Sequence, residues 1–467
     1  MKKFKQNYPL ITQKTILSEA AEGKSITKHE DMVVFVPYAA SGDVVDLQIT
    51  KKKKKFAEAR ITHFHEFSDK RIEPKCQYFT KCGGCKWQHL NYENQLKLKH
   101  QQVIDDFERI AKVHVETILP IIGANNVFNY RNKVEFTFSN KAWEEFFDKD
   151  NPKGLPALGF HFPGLFDKII DIDICHIAND YSNQIKNRIK EIAVNNHFEF
   201  FDLRHQTGCL RNLMIRQTSQ NQWMVVLVIA HQNNELISTI FDALIPEFAM
   251  VTEWCYVINN KRNDTWSDLD VMTYKGKGYL EEKIEDKIYK IRPQSFFQTN
   301  TDQALKLYEI AREFAGLTGV ENVYDLYTGT GSIALFVSDR CKKITGIEYV
   351  EAAVIDAKEN AKLNGVNHAE FFAGDMKSIL NQEFIETHGK PDVVITDPPR
   401  DGMHPDVVAK LLEIEAQRIV YISCNPATQA RDIFTLKEKY NVIKIQSVDL
   451  FPHTHHIENI ALLELKN

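Results

Sequence analysis

The sequence predicts an α/β protein: a doubly wound C-terminal domain over 291–467, an α+β central domain over 71–290 and a small N-terminal β-barrel over 1–70. Three observations carry this. From about residue 291 apolar strands alternate with amphipathic helices, the pattern of a mostly parallel sheet covered on both faces. A glycine-rich turn, Gly329-Thr330-Gly331, follows an early strand of that series, and doubly wound sheets bind ligands beyond the carboxyl ends of their strands. Before residue 70 the pattern is one of short strands separated by turn residues. A chain of 467 residues also exceeds one ordinary core.

Taken in order, Val33–Val36, Val44–Ile49 and Ala57–Ile61 read as strands, with Ser41-Gly42-Asp43 as a turn. Lys51–Lys55, five consecutive lysines between two of these strands, reads as a hairpin tip. Such a tip is either simply solvated or, on an OB-like barrel, placed to meet RNA phosphates. The central domain opens with Cys76, Cys82 and Cys85. It also contains Asn129-Tyr130-Arg131-Asn132-Lys133, a basic and aromatic group of the kind that stacks on bases and grips phosphates. In the C-terminal domain Val323–Leu326 is a strand, 331–339 a helix, Ile344–Glu348 a strand and Ala352–Leu363 a helix. Val393–Asp397 and Ile419–Ser423 are two further buried strands.

Charge is unevenly distributed. The formal net charge is -5, yet residues 1–75 hold 15 Lys+Arg against 10 Asp+Glu, so attraction to phosphate is expected to be local to the N-terminal part. Met1–Asn7 is charged without an apolar segment behind it, and no apolar run approaches membrane-spanning length. Eight cysteines, unevenly spread, do not suit a disulfide framework. The expectation is a monomeric, cytoplasmic protein without membrane association.

The candidate chemistry lies in the last third. The Gly329-Thr330-Gly331 turn lacks the third glycine of the dinucleotide fingerprint, and Glu348 ends the next strand, where a ribose diol needs an acceptor; both favour S-adenosylmethionine. Asp397 ends a later strand at the same sheet edge, before Pro398-Pro399-Arg400. An arginine, rather than an aromatic ring that stacks on a base, closes this tetrapeptide and argues against an exocyclic nitrogen as target. Ser423-Cys424-Asn425-Pro426 supplies a thiol at a strand's carboxyl end, and His455-His456-Ile457-Glu458 a carboxylate.

Five motifs in order, Ser295–Asn300, Asp325–Gly331, Asp397–Arg400, Ser423–Thr428 and His453–Glu458, resemble those of the RNA uracil-C5 methyltransferases over nearly the whole chain. The resemblance implies a Rossmann-like methyltransferase domain in which Gln298, Tyr327, Glu348 and Asp397 contact S-adenosylmethionine. It further implies that Cys424 is the nucleophile and Glu458 the general base. Relatives often carry cysteine at the position of Thr328, a departure that touches no assigned chemistry. Uracil C5 must be made nucleophilic before it can accept a methyl group, and addition of a thiolate to C6 does this. A neighbouring cation, with Arg400 as candidate, is expected to lower the Cys424 pKa. His453, His455 and His456 are expected to shape the loop around Glu458 rather than to hold a metal.

Cys76, Cys82, Cys85 and the distant Cys175 fit zinc or an iron-sulfur cluster by spacing alone. The resemblance implies the [4Fe-4S] site of the ribosomal-RNA branch, with 23S rRNA as substrate, and identifies the N-terminal barrel as similar to a TRAM domain, an RNA-binding module. Cys209, Cys255 and Cys341 read as ordinary thiols. Two other readings stand beside this one: an RNA cytosine-C5 methyltransferase, opposed by the absence of a second cysteine in the Asp397-Pro398-Pro399 loop, and a non-catalytic RNA-binding protein, opposed by intact Cys424 and Glu458.

Overall fold

The computed structural model describes residues 8–144 and 155–466; the charged Met1–Asn7 segment lies outside them. The N-terminal module is a six-stranded sheet in the order Leu10–Thr15, Val44–Lys52, Phe56–Glu66, Met32–Pro37, Lys24–His29, Ser18–Glu19. All three strands expected from the sequence are present and extended. Alternation works as the pleat requires: Met32, Val34 and Val36 turn inward and join Val45, Leu47, Ile49 and Ala57 in one core. Lys51 and Lys52 end one strand and Lys53–Lys55 form the turn into the next, so the lysine run is an exposed hairpin tip. The module is closed onto the rest of the chain by Asp43. This buried carboxylate takes two bonds from the Arg71 guanidinium (2.8 and 2.7 Å) and one each from the Ala40 and Ser68 N–H groups. Burial opposes the charge, but the guanidinium and the N–H donors hold the Asp43 pKa below its ordinary value.

The central sheet has seven strands, in the order Ile169–Asp171, Ala157–His161, Lys133–Ser139, Leu210–Gln217, Trp223–Ile229, Val251–Ile258, Val271–Lys275. Among its described strand pairs Trp223–Ile229 and Val251–Ile258 run parallel, joined through the helix Asn234–Glu247, and the other pairs run antiparallel. That helix and Asp180–Asn195 bury Ile185, Ile189, Ile240 and Phe241 against one face.

The C-terminal sheet has eight strands: Ala369–Ala373, Lys343–Glu348, Asn322–Leu326, Val393–Thr396, Arg418–Ser423, Glu458–Leu465, Tyr440–Val448, Val115–Ile118. The first five are parallel. Strand order reverses between Asn322–Leu326 and Val393–Thr396, which opens a crevice at their carboxyl ends. The chain's last strand, Glu458–Leu465, inserts antiparallel between Arg418–Ser423 and Tyr440–Val448. Apolar cores lie on both faces.

The division at residue 291 is crossed in two places. Val115–Ile118 pairs in parallel with Tyr440–Val448, and Val103 and Phe107, from the segment before it, join the C-terminal core, so 92–118 packs with the last domain rather than the central one. The hairpin Leu280–Ile284/Lys287–Ile291 likewise packs Ile284, Tyr289 and Ile291 into that domain.

Candidate active site

Ser423 and Asn459 are register partners in the antiparallel pairing of the last strand. Cys424, one residue past the first, and Glu458, one residue before the second, are therefore neighbours across the end of the sheet. Glu458 is buried at 3% exposure, and Cys424 is partly buried. The Cys424 loop is tied to the loop after Asp397 through one acceptor: the Arg400 carbonyl receives Asn425 Nδ2 (3.0 Å) and Thr428 Oγ1 (3.1 Å). Pro426 begins the helix Pro426–Leu436, where its missing N–H costs nothing.

Electrostatics at this corner differ from the sequence expectation. Burial, then the charges of Glu458 and Asp397, push the Cys424 thiol up to about 12; the Arg400 charge acts downward but is outweighed. Cys424 is thus a protonated thiol in this structure, not a standing thiolate. Burial and Asp397 raise Glu458 well above the ordinary carboxylate value, and burial with Asp325 raises Asp397 to about 7. Asp325, fully buried, is pushed up to about 7 by its burial even though it accepts from Thr328 Oγ1 (2.6 Å) and Ala334 N–H (3.2 Å). Three carboxyl groups crowded at the carboxyl edge of a sheet favour a ligand that brings positive charge.

Tyr327, Glu348 and Asp397 stand at the carboxyl ends of neighbouring parallel strands. Tyr327, at a φ of +62°, turns the chain out of the strand into the glycine loop. Gly329, at +54°, has open space where a Cβ would stand, so a ligand can approach its backbone; Gly331 does not, its Cβ position lying 3.2 Å from Ala357 and Phe371. Glu348 closes the turn by accepting from Gly329 N–H (3.1 Å) and Val350 N–H (2.9 Å), leaving further lone pairs for a diol. Gln298 is buried, and its carbonyl is held by Asn132 Nδ2 at 3.0 Å. This last bond revises the reading of 129–133. Tyr130 is buried and donates to Pro452 O (3.0 Å), so it cannot stack on a base, and Asn132 fastens the Gln298 loop.

Sequence reasoning missed a buried ion pair that supports the corner. Lys99 Nζ lies 2.6 Å from Asp449 Oδ1, both side chains fully buried, and Asp449 also accepts from Tyr92 O–H (2.9 Å). Lys99→Met leaves that carboxylate without its counter-charge. It is expected to cost about 3–5 kcal/mol of stability in urea unfolding; a loss below about 1 kcal/mol would show the pair to be solvated.

Residues 274–466 match the family model described as tRNA (Uracil-5-)-methyltransferase, and 15–62 match the TRAM domain. A Bacteroides thetaiotaomicron protein described as an uncharacterized RNA methyltransferase is 51% identical over 96% of this chain and 100% of its own length. A Porphyromonas gingivalis protein of the same description is 50% identical over 95% of this chain and 98% of its own length. The chain belongs to the RNA uracil-C5 methyltransferase family. The crystal structure of Pyrococcus abyssi tRNA (uracil-54, C5)-methyltransferase in complex with S-adenosyl-L-homocysteine is similar to this methyltransferase over 97% of this chain and all of its own. Its TM-score is 0.76 at 27% identity. S-adenosylmethionine as methyl donor, an N-terminal TRAM module and RNA as the partner follow for the methyltransferase from these likenesses.

The four cysteines of the methyltransferase's central region, 76, 82, 85 and 175, line one cavity of about 310 Å³ together with Tyr78, Gln88 and Arg131. Burial raises all four thiols, Cys82 to about 11 and Cys85 to about 12, and neighbouring cysteines add to it at Cys82, Cys85 and Cys175. Backbone N–H groups point at the sulfurs: Tyr78 and Phe79 at Cys76, Gly84 at Cys82, Ile177 and Ala178 at Cys175. No group of three or more His, Cys, Asp or Glu side chains that could hold a metal ion is found among the described residues, the three loop histidines included. His453 and His455 are lowered to about 4 and His456 to about 3, by burial first, so all three are neutral at physiological pH. Cys209, Cys255 and Cys341 are buried and apart from this cavity.

Proposed function

We propose that this protein methylates C5 of a uridine in RNA through a covalent Cys424 adduct at C6, with Glu458 as the base that removes the C5 proton. The observation that carries this is the pairing of Cys424 with Glu458 across the end of one strand pair, beside Asp397 and the open Gly329 turn. S-adenosylmethionine, when bound, supplies an electrophilic methyl group on a cationic sulfur. Gln298, Tyr327, Glu348 and Asp397 would hold it, and the surplus of buried carboxyls suits that positive charge.

The chain's own residues do the rest. The Cys424 sulfur, once deprotonated, bonds to C6, and the displaced π pair becomes an enolate on O4. C5 thereby becomes nucleophilic and accepts the methyl group. Glu458, as carboxylate, takes the C5 proton; the C6–S bond then breaks, and the C5=C6 bond returns. Arg400 is the cation that favours both ionised forms. Because both groups must lose a proton and both are displaced upward, the active forms grow as pH rises. The value of kcat/KM is therefore expected to rise through neutral pH and to keep rising toward the Cys424 value of about 12; a flat or falling profile would count against these roles.

For the substrate, we favour a 23S rRNA uridine, because the chain combines the TRAM module with the four-cysteine cavity. The name of the matched family and that of the Pyrococcus neighbour point to tRNA as the rival. Mass-spectrometric mapping of 5-methyluridine in both RNAs from a strain lacking the gene separates them: loss from tRNA alone removes the rRNA assignment. Loss of a 5-methylcytidine would revive the cytosine reading, and loss of neither the non-catalytic one.

We read the four-cysteine cavity as the [4Fe-4S] site that the resemblance implies; among the described residues the side chains as placed form no group that could hold a metal ion. The four thiols line one cavity, and Cys82 faces the Gly84 N–H, a donor of the kind that tunes cluster sulfurs. Anaerobically purified protein is expected to be brown and to hold about four irons per chain. Colourless protein with stoichiometric zinc would replace the cluster assignment.

A further inference from the structure

Five consecutive carbonyls, Asp449 to His453, accept hydrogen bonds from six residues elsewhere in the chain. Gln303 Nε2 donates to Asp449 O (2.9 Å), Asn300 Nδ2 to Leu450 O (2.9 Å), Lys99 Nζ to Phe451 O (3.1 Å) and Tyr130 O–H to Pro452 O (3.0 Å). His453 O receives the N–H groups of Lys86 (2.8 Å) and Trp87 (3.0 Å), the two residues that follow Cys85. Gln95, fully buried on the helix Tyr92–Asp106, grips the same residue twice: its Oε1 accepts from His453 N–H (2.9 Å) and its Nε2 donates to His453 Nδ1 (3.2 Å). His453 is held at a φ of +67°, a conformation that persists in a non-glycine residue when its surroundings over-determine it.

The connection so gripped runs from Val448 to Glu458, which are themselves register partners. On its strand side Glu458 is fixed by this pair and by the pairing of Asn459 with Ser423 and Ser447; on its other side it depends on the connection. The anchors fix the first half of the connection, 449–453, and they come from the cysteine loop, the 129–133 segment and two helices, so that half cannot shift without breaking contacts to several of them. A general base must come within about 2.6–3.2 Å of its proton. A displacement of about 1 Å can cost a hundredfold in rate.

We propose that Tyr130 and Gln95 are positioning residues for Glu458, holding the 449–457 connection in the geometry from which its carboxylate reaches the C5 proton. The inference rests on Glu458 being the base. Neither side chain touches the reacting atoms; Tyr130 acts through the Pro452 carbonyl, and Gln95 through the His453 backbone and ring and through the Trp87 and Leu90 carbonyls, to which its Nε2 also donates (3.1 and 2.9 Å).

The test uses the full-length protein, S-adenosylmethionine and ribosomal RNA lacking 5-methyluridine, with wild type, Tyr130→Phe, Gln95→Met and Glu458→Gln compared. Turnover is read beside the fraction of protein shifted to a covalent RNA adduct on a denaturing gel, and cofactor binding is measured by calorimetry. Tyr130→Phe is expected to slow turnover about tenfold and Gln95→Met up to about a hundredfold. In both, the adduct fraction should rise several-fold and cofactor affinity should stay within about twofold. A purely structural role would lower adduct formation and turnover together. That result, or unchanged turnover, overturns the proposal when Glu458→Gln in the same assay does accumulate adduct. If Glu458→Gln does not, the base assignment fails first and the positioning role fails with it. Tyr130→Phe removes a single hydroxyl, so it decides the matter even if Gln95→Met does not fold.

Discussion

Cys424→Ala is expected to abolish methyl transfer, by at least about four orders of magnitude, with S-adenosylmethionine binding left near its wild-type value. Without the sulfur no enolate forms, and C5 of uracil has no nucleophilic character to offer. The positions that would hold the cofactor, Gln298, Tyr327, Glu348 and Asp397, lie on other loops and lose no contact. Folding should survive, because Cys424 is only partly buried at the mouth of the sheet and its loop is fastened through the Arg400 carbonyl rather than through the thiol. The measurements are transfer of labelled methyl to RNA and calorimetric titration of the cofactor. Turnover within tenfold of wild type would remove the covalent mechanism. Loss of cofactor binding as well would mean that the two loops form one unit that the substitution has collapsed.

Which features could be read from sequence depended on the range of the interactions. The strands around Val34, Leu47 and Ala57 were legible because alternation is local, and the turn at Gly329 because a glycine pair after an apolar strand leaves few alternatives. The allegiance of Val115–Ile118 was not, since its partner strand lies more than 300 residues away and nothing local encodes that pairing. Cys424 and Glu458 were legible as residue types in motifs. Their adjacency depends on the last strand inserting antiparallel between two others, and that follows only from topology. The state of the thiol was misjudged for the same reason. Arg400 is close in sequence to Asp397 and invites the idea of a cation beside the sulfur, but burial and two carboxylates converging from separate strands outweigh it. Tyr130 illustrates the limit from the other side: a tyrosine between Asn129 and Arg131 has the composition of an RNA-stacking group, while its hydroxyl is spent on Pro452. Polar anchors such as Gln95, Lys99 and Asn300 carry no sequence signal of their own, because a buried amide or lysine is indistinguishable from a solvated one until its partners are placed.

Glu458→Gln is expected to trap the enzyme on its RNA. The amide keeps the size of the side chain, so the last strand and its pairing with Arg418–Ser423 should be retained. It cannot take a proton, however, and loss of the C5 proton is the step that permits the C6–S bond to break. Addition and methyl transfer come before that step. They should be helped by the substitution wherever the wild-type Glu458 is ionised, because its charge is, after burial, the largest influence raising the Cys424 thiol. Removing it brings the thiol pKa down and enlarges the thiolate fraction in that pH range. Two results should therefore appear together: multiple turnover falls by about two to four orders of magnitude, the usual worth of a general base, and a covalent protein–RNA band carrying one labelled methyl group persists on a denaturing gel. The rate of adduct formation in this variant should also depend on pH with an apparent pKa below the corresponding one in wild type. A variant that turns over normally without a trapped band would remove Glu458 from the role of base. A band lacking the methyl label would instead place the carboxylate before methyl transfer, where its task would be to help align the adduct.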